Sequence, residues 1–219
     1  MRSSWEDFII PNKDVFEPYQ ILSYAKDDDP FHRLWLSLPK GKKNVPLMIF
    51  FHGGGMTDDL RESPDYIYDG DFAVVEPKYR LSPDTKAPAQ IEDTAMAIAW
   101  CFEHADEYGF DKTKIFVGGM SAGAYLAAIT VMNPKFLAPY GLHYKNIAGL
   151  VILSGQMTKH FKIKERKWEI PAASLFRTLM NMLQWQILRQ TYRPCFWLQD
   201  NPDSICRHDR KKTLLSQPH

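Results

Sequence analysis

The chain has 219 residues, 45% hydrophobic and 24% charged, which fits one globular domain with room for a real core. A net charge of +1 gives no footprint for nucleic acid or an anionic membrane, and no run of 18 apolar residues exists to span a bilayer. The start, MRSSWEDFII, turns acidic before any apolar stretch, and Cys101, Cys195 and Cys206 lack metal or disulfide-framework spacing. A reducing, cytoplasmic setting without a metal or organic cofactor is expected.

In chain order, residues 19–25 (YQILSYA) and 32–38 (HRLWLSL) read as strands, joined into a hairpin by Asp27-Asp28-Asp29-Pro30. Residues 46–51 (PLMIFF) and 72–76 (FAVVE) are continuous apolar runs, the pattern of strands covered on both faces. Residues 88–108 read as a helix carrying Ile91, Ala95, Ile98 and Phe102 on one face and stopping at Gly109. Ile115, Phe116 and Val117 form a strand that leads through GGMSAG into the apolar helix AYLAAITVM, ended by Asn133-Pro134. Residues 147–153 (IAGLVIL) are a further buried strand. Alternating strands and helices predict an α/β fold around a mostly parallel sheet.

Two motifs carry chemistry. Gly119-Met120-Ser121-Ala122-Gly123 sits between a buried strand and a helix. There it predicts a nucleophile elbow, a turn too tight for side chains at its flanks that exposes the serine oxygen. The following helix aims its first N–H groups at the same place. A glycine-rich turn with an ordinary N-cap serine is the plain alternative. His52-Gly53-Gly54-Gly55 follows PLMIFF directly. Its glycines allow close backbone approach, and its N–H groups can face an oxyanion. No Gly-Lys-Ser/Thr follows, which disfavours a phosphate loop.

Both motifs lie at strand ends, about 70 residues apart and in the order of an oxyanion loop and an elbow. With Tyr79–Pro83 (YRLSP), they resemble the α/β-hydrolase superfamily. Within it they are similar to the hormone-sensitive-lipase-like esterases and the related bacterial carbohydrate-ester esterases, over about residues 15–160. The resemblance implies an α/β-hydrolase fold with Ser121 as nucleophile and the backbone N–H groups of Gly54, Gly55 and Ala122 as oxyanion hole. His52, Gly53, Gly119 and Gly123 become loop-structuring residues. Glu92 and Asp93 match acidic positions that brace the core loops of this family; a solvated first-turn pair is the equal alternative.

A serine nucleophile needs a base, and the base an orienting acid, in the order Ser, Asp/Glu, His for this superfamily. Beyond Gly155, neither has its context. His160, His208, His219, Asp200, Asp203 and Asp209 follow no recognisable strand, so no triad acid or base is assigned.

The composition also breaks there. All 12 glycines lie at or before Gly155. Residues 1–161 carry 16 basic and 21 acidic residues, whereas 162–219 carry 11 and 5, so −5 gives way to +6. A change of reading frame near residues 162–167 accounts for this. Read from the third base of each codon, Trp168-Glu169, Met180-Asn181 and Trp185-Gln186 force Gly, Glu and Ala. Permitted codons elsewhere give LPPLLLVTG, an apolar strand, followed by an acidic loop. The chain then divides into a hydrolase core over 1–161 and an atypical basic tail over 162–219, leaving the C-terminal part of the fold missing or non-native. A genuine helical tail, LFRTLMNMLQWQIL, is the alternative.

The expected function is cleavage of small carboxylic esters, including acetyl esters of carbohydrates, through an acyl-enzyme. A small-molecule ester is the expected partner, with no nucleic acid or membrane, and the oligomeric state is open. Two other readings stay open: an impaired remnant lacking acid and base, and a binding protein that uses the pocket without chemistry.

Overall fold

The structure, a computed structural model, describes residues 2–155 apart from 6 and 8. The expectations placed on residues 162–219, and on His160, lie outside the described residues.

Six strands form the main sheet: β1 (Gln20–Ser23), β2 (Arg33–Ser37), β3 (Val45–Phe51), β4 (Ala73–Pro77), β5 (Phe110–Met120) and β6 (Gly149–Leu153). Their order is β1-β2-β4-β3-β5-β6. The β3–β4, β3–β5 and β5–β6 pairs are parallel, while β1–β2 and β2–β4 are antiparallel. The predicted hairpin is the β1–β2 pair, with Ile21 opposite Trp35. Arg2–Ser3 and Arg61–Glu62 form a separate two-residue antiparallel ribbon.

The apolar runs are buried on both faces because side chains alternate along a strand. Leu47, Ile49 and Phe51 of β3 pack on one face with Ile91, Ala95 and Ile98 of α1 (Ala89–Glu103) and Leu126 and Ile129 of α3 (Ala122–Met132). Met48 and Phe50 face the other way, against Ile10, Phe16, Ile67 and Tyr68. Every residue of α3 is buried, which explains why its sequence is apolar all round.

Two elements differ from expectation. The helix predicted over 88–108 breaks at His104 into α1 and α2 (Ala105–Tyr108). The His104 ring stacks on Trp100 at 4.2 Å, and its Nδ1 lies 2.9 Å from the Trp100 carbonyl, which also accepts the His104 backbone N–H at 3.0 Å, so side chain and backbone share one acceptor where the helix breaks. The strand predicted at 115–117 extends from Phe110 to Met120, because β3 and β6 pair with both its flanks. Among the described residues, no helix is long and apolar enough to cross a membrane.

Candidate active site

β5 ends at Met120, and α3 begins at Ala122. The single residue between them, Ser121, has φ 52° and ψ −112°. A non-glycine residue held there stores backbone strain, and its surroundings fix it in place. Its N–H donates to the Leu153 carbonyl at 2.8 Å, and its carbonyl accepts the first helical bond from Tyr125 N–H at 3.1 Å.

The flanking glycines are required by space. A Cβ on Gly123 would lie 2.1 Å from the Phe51 carbonyl oxygen and 2.3 Å from that of His52. One on Gly119 would lie 2.6 Å from Phe51 O and from Gly123 C. The elbow is therefore wedged against the end of β3, where the HGGG loop starts. That close approach brings the two sequence motifs together. A Cβ on Gly53 would meet Met120 O at 3.2 Å and Ser121 Cβ at 3.4 Å.

Gly54, Gly55 and Met56 have φ of 89°, 64° and 65°. This left-handed run curls the loop, and Thr57 N–H and Asp58 N–H both close it on the Gly54 carbonyl. Ala122 opens α3, so its N–H has no acceptor within the helix. The candidate oxyanion donors thus lie in the loop leaving β3 and at the first residue of α3.

His52 lies under this loop. It is 2% exposed and stacks on Tyr79 at 4.3 Å with an interplanar angle of 11°. Trp5 meets it edge-on at 5.5 Å. Its Nδ1 lies 3.0 Å from the Gly53 carbonyl, an acceptor, so Nδ1 carries the proton and Nε2 holds a lone pair. Among the described residues, buried Nε2 has no hydrogen-bond partner. Burial lowers the imidazole pKa to about 4, so the ring is neutral at physiological pH. The Tyr79 hydroxyl donates toward the carbonyls of His52 at 2.9 Å and Gly53 at 3.1 Å. Ser82 N–H donates to Met56 O at 2.7 Å. The YRLSP segment thereby holds the HGGG segment from below.

That segment is itself held by Asp93, which is fully buried. Its carboxylate accepts from the Arg80 backbone N–H and Nε, both at 2.9 Å, and lies 3.2 Å from His32 Nε2. His32 Nδ1 contacts Asp27 at 2.8 Å. The two acidic residues considered for bracing therefore separate: Asp93 braces the loop, and Glu92 is exposed. On a helix, adjacent residues point about 100° apart, so only one of them can face the core.

Several residues here escape sequence reading. Arg61, fully buried, donates through Nε to Glu76 at 2.6 Å and through Nη2 to Tyr68 Oη at 2.9 Å. Tyr68 Oη also contacts Glu76. The signal was available: a glutamate ending the apolar run FAVVE needs a buried partner. Trp5 Nε1 and Lys78 Nζ both donate to Asp59, each at 2.7 Å, and tie the N-terminal segment to the far side of the HGGG loop. Each of the four described histidines is engaged away from Ser121: His32 with Asp27 and Asp93, His52 with Gly53, His104 with Trp100, and His143 as a cap on Lys145 N–H.

This sheet order, with a strained serine at the turn from β5 into the following helix, is the α/β-hydrolase fold. Solved esterases share it. Esterase B from Lactobacillus rhamnosis aligns with a TM-score of 0.58 at 22% identity, over 84% of this chain and 61% of that one. Esterase 2 from Thermogutta terrifontis, solved phosphoramylated by tabun, aligns with a TM-score of 0.58 at 25% identity, over 71% of this chain and 64% of that one.

The sequence model of the BD-FAE family matches residues 34–191, and the chain belongs to that family. It is similar to the carboxylic ester hydrolase LipN of Mycobacterium tuberculosis, with 38% identity over 108 residues, 47% of this chain and 29% of LipN. It is also similar to probable carboxylesterase 1 of Arabidopsis thaliana, with 31% identity over 158 residues, 59% of this chain and 48% of the relative. The chain thus spans less than half the length of these curated relatives. It shares its ancestry with these carboxylic ester hydrolases.

Proposed function

We propose that the chain carries the nucleophile and oxyanion half of a serine carboxylic-ester hydrolase. The observation that carries this reading is the backbone of Ser121, held at positive φ between two glycines with no room for a side chain. Such strain at an exposed turn is kept where the surroundings over-determine it, and active sites are where it concentrates.

In this reading, Ser121 Oγ attacks the ester carbonyl carbon and its proton passes to a base. The carbonyl oxygen becomes an oxyanion held by the N–H groups of Gly54, Gly55 and Ala122. The tetrahedral intermediate collapses by breaking the bond to the alcohol oxygen, which leaves with the proton. Water then adds to the acyl-enzyme by the same route and releases the acid. The neutral, buried ring of His52 organises the loop and takes no proton from Ser121. The base and its acid are assigned to no described residue. Small acyl groups, including acetyl on a carbohydrate, are the proposed substrates, in a cytoplasmic setting.

The engagement of all four described histidines elsewhere also supports the second reading, an impaired esterase remnant. A fluorophosphonate probe and a short-chain chromogenic ester separate the two. Labelling and turnover by the 219-residue chain, both lost in Ser121→Ala, support the esterase. Labelling at a rate barely above a free serine, with no turnover, supports the remnant. Labelling that persists in Ser121→Ala overturns the assignment of the nucleophile.

A further inference from the structure

The two-residue ribbon places a carboxylate beside the nucleophile. The point that a Gly53 Cβ would occupy lies 2.9 Å from Glu62 Oε2 and 3.4 Å from Ser121 Cβ. Glu62 Oε2 therefore lies no more than about 6 Å from Ser121 Cβ. Glu62 is half-buried, and its backbone is fixed by pairing with Arg2 across the ribbon. Its neighbour Arg61 is anchored in the Glu76–Tyr68 cluster. The backbone that carries this carboxylate is thus tethered at both residues of the ribbon.

The charges around it have one dominant sign. Asp58 and Asp59 lie in the same loop, and Asp59 is already paired with Lys78. Burial raises the pKa of the Tyr79 phenol, and the carboxylates of Asp58, Asp59 and Glu62 raise it further. The negative field therefore reaches the phenol that supports the HGGG carbonyls.

We propose that Glu62 is a specificity-determining residue: it steers the site toward esters that are neutral or cationic near the scissile carbonyl and rejects those with an anionic group there. This rests on the esterase reading and sharpens its substrate class. Hydroxylated, uncharged alcohols such as sugars fit beside a carboxylate that can accept their hydroxyl hydrogens. Half-esters of dicarboxylic acids and esters of acidic sugars are disfavoured by like-charge repulsion. At a separation of about 6 Å in water, a unit charge biases a singly charged ligand by roughly threefold, and the ratio of a cationic to an anionic ligand by roughly tenfold.

The test uses the 219-residue chain, Glu62→Gln, and Asp106→Asn as a distant surface control. A matched set of phosphonate probes, one neutral, one with a trimethylammonium group and one with a carboxylate, is reacted with each, and the rate of Ser121 modification is read by mass. The same set as carboxylic esters gives KM and kcat. Wild type should react faster with the cationic probe than with the anionic one. Glu62→Gln should lower that ratio about tenfold, through KM in the ester series and less so at high salt, while Asp106→Asn leaves it in place. A ratio that falls less than threefold in Glu62→Gln, or falls equally in Asp106→Asn, overturns the proposal while the neutral probe still supports the esterase. No modification of wild-type Ser121 by any probe overturns the esterase reading and this proposal with it.

Discussion

Ser121 combines two demands that a single residue rarely meets. Its side chain is the candidate nucleophile, and its backbone occupies a conformation that suits glycine. The strain costs roughly 1–3 kcal/mol, and removal of Cβ releases it. Ser121→Gly is therefore expected to unfold at a higher denaturant concentration than Ser121→Ala, by about 1 kcal/mol, although both lack the hydroxyl. Equal midpoints would show that the turn is relaxed. His52 makes a second prediction. Its pKa is about 4 in the folded protein, against 6.5 when exposed, so the unfolded chain binds the proton first as pH falls. Stability is complete above about pH 6.5 and declines toward pH 4, by about 3 kcal/mol from this group. His52→Asn should flatten the stability profile over that window, as followed by urea unfolding at stepped pH.

Besides their ladders, the elements around the site are joined by polar pairs between loops, helix and strands. Asp93 on α1 holds Arg80, and Glu76 on β4 holds Arg61. Both pairs were illegible as pairs, since their members lie 13 and 15 residues apart and only the folded sheet brings them together. Removing one member leaves a buried charge without its counter-ion, which costs about 3–5 kcal/mol. Glu76→Ala should lose about that much in chemical denaturation. Arg61→Met with Glu76→Met should lose much less than the two single changes added together. Additive losses would mean that the two side chains are stabilised independently. The strands, by contrast, were legible, because an apolar run such as PLMIFF has no stable place outside a doubly covered sheet. The break at His104 was not, because a stacked histidine bonding its own helix leaves no trace in hydrophobic periodicity.

Across the whole molecule, the composition changes beyond β6: no glycine follows Gly155, and the charge balance turns basic from residue 162. We propose that the step is a change of reading frame. Sequencing the transcript should show codons beyond Trp185 whose third-position frame reads the apolar strand LPPLLLVTG and an acidic loop after it. Codons incompatible with LPPLLLVTG would establish a genuine basic tail instead. By itself, the sequence determined the α/β class, the order of its strands along the chain and the two glycine motifs, because burial and tight turns restrict residue type locally. Only the tertiary structure decided that the two motifs meet, that His52 is buried and neutral, that Asp93 rather than Glu92 braces the loop, and that Glu62 lies near Ser121. Those relations depend on which strands become neighbours, and the sheet order β2-β4-β3-β5 is set by packing across the whole core.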